Sequence, residues 1–124
     1  MTVNVHPHEI EKFGALASRW WDPNGPQRPL HVLNPVRLAY VERWQPLAGA
    51  KVLDVGCGGG LLTEAMALRQ AQATGIDLST QLIDVARLHL LETGVKAEYR
   101  VIAVEDLAEL EPGQFDAVTC MEML

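Results

Sequence analysis

The sequence predicts an α/β protein, built on a parallel sheet and preceded by a helical extension. Three observations support this prediction. From Lys51 onward, short apolar segments alternate with helical ones. A glycine-rich turn joins the first apolar segment to the helix that follows it. Residues 1–49 have a different composition, because they hold all three tryptophans and six of the seven prolines.

The N-terminal extension, residues 1–49, is predicted to be helical. A helix is expected from about His8 to Trp21, followed by the turn-rich stretch DPNGPQRP. A second helix is expected after Asn34, which can cap it while Pro35 takes the first helical position. This helix should end before Pro46. We expect the extension to act as a separate unit beside a second domain, residues 50–124.

The second domain reads as strand and helix in alternation. The strand candidates are KVLDV, ATGID, AEYRVI and FDAVTCM. Helices are expected around residues 60–70, 79–92 and 104–110, and Ser79 is a plausible N-cap for the longest of them. Alternation of this kind predicts a Rossmann-like parallel sheet with helices on both faces and a ligand beyond the carboxyl ends of the strands.

Composition excludes some functions. The 124 residues include 16 acidic and 10 basic ones, a formal net charge of -6, so we expect no nucleic-acid partner. Cys57 and Cys120 suggest neither a metal-ligand pair nor a disulfide framework, which favours a reducing cytoplasm. We also expect no secretion signal and no membrane span.

The stretch VLDVGCGGG, residues 52–60, is the first candidate site, because its four glycines let the backbone turn sharply and let a ligand lie against it. Asp77 is the second, because it ends the next strand and lies 21 residues beyond Gly56. An acid there can accept both ribose hydroxyls of a nucleoside ligand. The alternatives are a tight turn without a ligand and a solvated turn aspartate.

S-adenosylmethionine suits this site better than NAD. The dinucleotide fingerprint G-x-G-x-x-G/A needs a small residue where Leu61 stands, counting from Gly56. Glu64 and Asp54 also place negative charge near the loop, which is unfavourable for a pyrophosphate. S-adenosylmethionine has no phosphate and carries a sulfonium and an ammonium group beside one carboxylate.

Several segments resemble known methyltransferases. VLDVGCGGG, TGIDLS and FDAVTCMEML are similar to signature segments of class I S-adenosylmethionine-dependent methyltransferases. The more specific stretches SRWWD and PLHVLNPVR are similar to those of the ubiquinone-biosynthesis O-methyltransferases. This resemblance covers almost the whole chain.

The resemblance implies a set of cofactor-binding residues. It implies that Gly56 lines the methionine portion of S-adenosylmethionine and that Asp77 binds the ribose. Arg37 would contact the cofactor and could pair with its carboxylate through two hydrogen bonds, although a solvated helix charge is the alternative. The rest of the implied set is Asp54, Gly58, Met121 at the end of the fourth strand, and Val104 and Glu105 near the adenine.

The activity implied is methyl transfer to a phenolic or catechol hydroxyl of a polyprenylated ring, of the 2-polyprenyl-6-hydroxyphenol and 3-demethylubiquinol type. The sequence assigns no catalytic base. Glu122 matches only the first acid of an E-x-x-E-H segment, so no metal is expected. His31 is either a substrate-side group or a structural histidine. Family members continue for about as many residues again, which predicts an incomplete sheet with an exposed fourth strand and a chain that represents the cofactor half of the enzyme.

The first helix has an apolar stripe of Ile10, Phe13, Ala17, Trp20 and Trp21. Because the implied substrates live in membranes, the stripe could attach the protein to the inner membrane surface or to a quinone-biosynthesis complex. We expect it instead to pack as a lid over the cofactor cleft, because the helix has few basic residues.

Two other functions stay open. An NAD-dependent oxidoreductase would share the ribose-binding acid. A non-catalytic fragment that binds a cofactor or a partner without turnover is the second alternative, since the acceptor pocket is expected to lie outside this chain.

Overall fold

The computed structural model of the chain describes residues 7–110 and 112–120. Its elements, in chain order, are α1 (Pro7–Trp21), α2 (Arg28–Trp44), β1 (Lys51–Val55), α3 (Leu61–Leu68), β2 (Gln72–Asp77), α4 (Thr80–Thr93), β3 (Glu98–Val101), α5 (Val104–Leu110) and β4 (Ala117–Thr119). The predicted alternation of strands and helices after residue 50 is therefore confirmed.

The four strands form one parallel sheet in the order β3-β2-β1-β4. In this register Val55 lies beside Ile76, and Asp77 lies beside Val101. The chain reverses its direction of winding between β3 and β4, because β4 joins the opposite side of β1. Because all four strands are parallel, the carboxyl ends of β1, β2 and β4 lie at one edge of the sheet, where such sheets bind ligands.

Helices cover both faces of the sheet, as predicted. On one face Val52 of β1 packs with Leu62 and Met66 of α3. On the other face Leu53 and Val55 pack with Leu107 of α5. Strand side chains alternate between the two faces of a sheet. Each side chain of this size that is fully buried contributes about 1.5–3 kcal/mol to folding.

The predicted start of the second helix is wrong. α2 begins at Arg28, with Pro29 in its first turn, and Pro35 lies inside the helix. Asn34 does not act as a cap, because its side-chain Nδ2 donates a hydrogen bond to the Leu61 carbonyl at 3.2 Å. The end before Pro46 is confirmed. Four residues of α2 project apolar side chains into solvent at intervals of one turn: Val32, Val36, Tyr40 and Trp44.

From Phe13 to Trp21, the apolar stripe of α1 packs inward. Ala17 and Trp20 are buried against Leu61 of α3 and Val85 of α4, and Trp21 packs beside them. This packing against α3 and α4 favours an α1 that packs onto the protein over one that attaches to a membrane. Among residues 7–110 and 112–120, no helix is both long and apolar enough to cross a bilayer.

The predicted N-cap of α4 is confirmed, because Ser79 Oγ accepts a hydrogen bond from the Leu82 N–H at 3.2 Å. β4 is shorter than the predicted strand FDAVTCM and lies at the edge of the described sheet. The proposed division of the chain near residue 50 stays a prediction, but α2 shares a core cluster with β1 and α3 through Leu38 and Val41.

Candidate functional site

The glycine-rich loop, residues 56–60, joins β1 to α3 at the carboxyl edge of the sheet. Gly56, Gly58 and Gly60 have φ values of 69°, 57° and 95°, in the left-handed region that glycine adopts without strain. The Cys57 N–H donates to the Ile76 carbonyl at 3.0 Å, which extends the pairing of β1 with β2. Gly56 is partly exposed and the other loop residues are buried.

Gly59 and Gly60 are required by packing within the protein. A Cβ atom at Gly59 would lie 2.6 Å from the Trp20 ring, and one at Gly60 would lie 2.3 Å from the Tyr99 hydroxyl oxygen. Both distances are too short for a real contact. These two glycines therefore do not need a ligand to explain them, and Gly56 remains the candidate for contact with one.

Side chains from three elements hold three consecutive carbonyls, two at the end of the loop and one at the first residue of α3. Trp21 Nε1 of α1 donates to Gly59 O at 3.2 Å. The Tyr99 hydroxyl of β3 donates to Gly60 O at 3.4 Å, and Asn34 of α2 donates to the next carbonyl, that of Leu61. Burial raises the pKa of Tyr99 well above its usual range, so this hydroxyl keeps its proton. These hydrogen bonds fix the backbone at the C-terminal end of the loop, where it enters α3.

Asp77 ends β2 and is tied to the same loop. Its Oδ2 accepts a hydrogen bond from the Gly58 N–H at 3.0 Å, and its Oδ1 accepts one from the Ser79 N–H at 2.8 Å. The side chain is only partly buried. Because a carboxylate oxygen can accept two hydrogen bonds, each retains capacity for a ligand hydroxyl. The structure thus brings together the two candidates that the sequence predicts.

Asp54, in β1, is 3% exposed and joins three elements. Thr63 Oγ1 of α3 donates to its Oδ2 at 2.8 Å, and Thr119 Oγ1 of β4 donates to its Oδ1 at 3.0 Å. Burial raises the pKa of Asp54 from 3.8 to about 6, while the two hydroxyls and the Arg37 charge oppose this effect. Its contribution to the site in this structure is to hold β1, α3 and β4 together. Direct contact of Asp54 with a cofactor stays a prediction.

Arg37 lies on α2, one turn beyond Asn34, and is partly buried. Its positive charge is near enough to Asp54 to favour the ionised form of that carboxyl group. Since Asn34 anchors α2 to the start of α3, the guanidinium is placed near the carboxyl end of β1. The structure therefore places Arg37 beside the predicted site.

Val104 and Glu105 occupy the first turn of α5, in the connection that follows β3. Because Val101 pairs with Asp77, this connection begins beside the predicted ribose site. Val104 packs against the cluster around Leu107 and Glu105 is exposed. Met121, which is predicted to border the site, and Glu122 lie outside the described residues.

Two polar side chains differ from the sequence interpretation. Glu64 is buried, and its Oε2 lies 2.6 Å from His89 Nδ1, so its carboxylate is bound to α4 and gives little support to the charge argument against NAD. His31 Nε2 lies 3.0 Å from the Trp20 carbonyl, near the C-terminus of α1. A carbonyl only accepts, so Nε2 carries the proton. This contact favours the structural alternative for His31.

One open cavity of about 940 Å³ lies away from the candidate site. It lies at the opposite edge of the sheet, by Lys51, Gln72 and Glu98, the first residues of three strands. Ligands of such sheets bind at the carboxyl edge, so we do not assign the site there. Residues 7–110 and 112–120 contain no cluster of three or more possible metal ligands.

Comparison with known proteins identifies the family. The methyltransferase domain family matches residues 52–124. The chain belongs to this family. Its membership confirms the resemblance predicted from VLDVGCGGG, TGIDLS and FDAVTCMEML.

The chain has curated relatives of about twice its length. It is 65% identical over 121 residues to a ubiquinone biosynthesis O-methyltransferase of Xanthomonas euvesicatoria pv. vesicatoria (strain 85-10). The match covers 98% of this chain and 51% of the relative, so the chain spans about half the length of the curated relatives it matches.

Solved structures support the fold. The crystal structure of magnesium protoporphyrin IX methyltransferase from Synechocystis PCC 6803 with bound SAH aligns with a TM-score of 0.67 at 24% identity, over 89% of this chain and 52% of that one. A Trypanosoma brucei PRMT1 enzyme-prozyme complex with AdoHcy aligns with a TM-score of 0.60 at 27% identity, over 77% of this chain and 31% of that one.

The sequence interpretation missed Leu78. This residue follows Asp77 directly at the carboxyl edge of the methyltransferase domain, and it is 74% exposed. An exposed apolar side chain beside a carboxylate can cover the flat face of a base whose ribose is held by that carboxylate. The available sequence signal was an apolar residue between the acid and the N-cap Ser79, where turns are usually polar.

Proposed function

We propose that this chain is the cofactor-binding half of an S-adenosylmethionine-dependent O-methyltransferase of ubiquinone biosynthesis. The observation that carries the proposal is the junction of the glycine-rich loop with Asp77 at the tips of β1 and β2, through the Gly58 N–H. The names of the relatives at 65% identity support the reaction and the pathway. The AdoHcy bound to the Trypanosoma brucei PRMT1 complex, a structural neighbour at 27% identity, supports the cofactor.

The residues present fit this cofactor. Asp77 has free acceptor capacity for two ribose hydroxyls, and Gly56 offers partly exposed backbone beside it. Arg37, whose charge acts on Asp54 near the end of β1, is the cation we assign to the one carboxylate of the ligand, and Leu78 is the residue we assign to the adenine face. When bound, S-adenosylmethionine supplies an electrophilic methyl group on a sulfonium. Leu61 fills the position that a dinucleotide-binding loop keeps small, because it packs against α1 and α4.

The part played by these residues is to hold the methyl donor in one orientation. Precise alignment of two reactants can supply roughly 7–11 kcal/mol of a barrier. A phenolic acceptor must also lose a proton, and we assign that step to no described residue. The proposal includes a polyprenylated phenol or catechol as the acceptor, and association with the inner membrane or with a quinone-biosynthesis complex.

The test is the affinity of the chain for S-adenosylhomocysteine, measured by calorimetric titration of the wild type and of Asp77→Ala. Loss of charge-assisted hydrogen bonds to the ribose should weaken binding at least tenfold, since such bonds contribute about 1.5–3 kcal/mol. Asp84→Ala is the matched control, because Asp84 is an exposed aspartate of α4 that is not among the predicted site residues. NAD is titrated in parallel, and binding of NAD but not of S-adenosylhomocysteine would refute the proposal.

One observation favours a second function: the chain matches only 51% of the length of its curated relative. The chain taken alone could bind the cofactor without transferring its methyl group. A radiolabelled methyl-transfer assay with a catechol acceptor separates the two functions. Cofactor binding without transfer would support the second.

A further inference from the structure

A hydrogen-bonded carboxylate–imidazole pair connects α3 to α4 next to the glycine-rich loop. Glu64 of α3 has a side chain only 6% exposed, and its Oε2 lies 2.6 Å from Nδ1 of His89 on α4. Because an ionised carboxylate only accepts hydrogen bonds, Nδ1 carries a proton. A buried carboxylate needs such a partner. The pair therefore fixes both the position and the orientation of the imidazole ring.

The imidazole in turn supports a tryptophan of α1. The Trp21 indole stacks on the His89 ring with centroids 3.5 Å apart and planes within 2°. Its Nε1 donates to the carbonyl of Gly59 at 3.2 Å. Direct contacts therefore form one chain of four residues, from Glu64 through His89 and Trp21 to Gly59. This chain links α3, α4 and α1 to the loop.

We propose that His89 is a positioning residue of the cofactor site. Held by Glu64, it sets the plane of the Trp21 indole, which fixes the Gly59 carbonyl and with it the backbone of the glycine-rich loop. A loop that is already ordered loses less conformational freedom when it binds a ligand. This inference rests on the proposed function and extends it, because it makes cofactor affinity depend on the N-terminal helix.

Trp21→Phe tests the inference most cleanly, because it removes the indole N–H and keeps an aromatic ring for stacking. We expect its affinity for S-adenosylhomocysteine to fall about fivefold, the ratio that corresponds to one hydrogen bond of about 1 kcal/mol. Trp44→Phe is the matched control, because the same change is made at a 70% exposed tryptophan on α2. Urea unfolding confirms that each variant is folded at the assay temperature.

A double-mutant cycle separates positioning from general destabilisation. His89→Ala should weaken binding at least as much as Trp21→Phe, and the double variant should be little weaker than His89→Ala alone, because both changes break the same connection. Glu64→Gln keeps an acceptor for the His89 N–H, so its affinity should stay within about twofold of the wild-type affinity. Additive effects of the two single changes would overturn the inference.

Hydrogen exchange gives a measurement that needs no cofactor. Exchange of the amides of residues 56–60 should be faster in Trp21→Phe than in the wild type or in Trp44→Phe, and equal rates would overturn the inference. Wild-type binding that Asp77→Ala weakens and Trp21→Phe leaves unchanged would refute the positioning role alone. No binding of S-adenosylhomocysteine by the wild type would refute the proposed function and the positioning role together.

Discussion

Replacement of Asp54 by asparagine changes the most deeply buried charge at the carboxyl edge of the sheet while keeping the shape of the side chain. Burial raises the pKa of this carboxyl group from 3.8 to about 6 in the folded protein, and the Thr63 and Thr119 hydroxyls and the Arg37 charge offset only part of the effect. In the unfolded chain the group returns to its ordinary value. The ionised carboxylate is therefore less favourable in the folded protein than in water.

The sign of the pH dependence follows from proton binding. Between pH 3.8 and about 6 the folded protein holds the Asp54 proton and the unfolded chain has lost it. The free energy of unfolding therefore decreases as the pH rises through this window. At about 1.4 kcal/mol for each pH unit, the Asp54 contribution to this decrease totals about 3 kcal/mol. It is absent below the window and complete above it.

Urea unfolding of the wild type and of Asp54→Asn at pH values from 3.5 to about 7.5 measures this contribution. Subtracting the two curves at each pH removes the other ionisable groups. We expect the stability of Asp54→Asn relative to the wild type to improve by about 3 kcal/mol between the two ends of the range. A difference that stays constant with pH would refute the account of Asp54 as a buried carboxylate whose charge is costly.

Two further predictions, one comparing two glycines and one concerning a helix cap, are measured by urea unfolding. Gly60→Ala should destabilise the protein by about 3 kcal/mol or more, because φ is 95° and the new Cβ would lie 2.3 Å from the Tyr99 hydroxyl. Gly94→Ala, at φ 73° with no atom within 4 Å, should cost only about 1–2 kcal/mol, so equal losses would argue against the Tyr99 contact. Ser79→Ala should cost about 1 kcal/mol through loss of the bond from the Leu82 N–H. Ser79→Thr keeps a capping hydroxyl, and a loss as large as that of Ser79→Ala would contradict the capping role.

Local patterns were sufficient to predict much of this structure. The alternation of short apolar segments with helical ones predicted the strands. The cap at Ser79 depends on one local hydrogen bond, from the Leu82 N–H to the Ser79 hydroxyl. The neighbouring positions of Gly58 and Asp77 follow from the rule that consecutive parallel strands usually pair. The start of α2 could not be predicted in this way, because the amide of Asn34 is bound to α3 and is not available as a cap.

The reason for the glycines was only partly accessible to sequence analysis. A run of glycines after a strand predicts a ligand, and the partly exposed Gly56 is consistent with that interpretation, while the Gly58 N–H is bound to Asp77. Gly59 and Gly60, however, are small because Trp20 and Tyr99 press against them from distant parts of the chain. Contacts of this kind depend on the finished fold, and no local pattern reveals them.

The carbonyls at residues 59, 60 and 61 depend on donors from α1, β3 and α2. A designer who grafts the ten-residue segment VLDVGCGGGL into an unrelated scaffold would transfer the glycines and leave all three donors behind. Such a transplant should need an aromatic N–H, a phenol and an amide supplied by the host before it could reproduce the native turn.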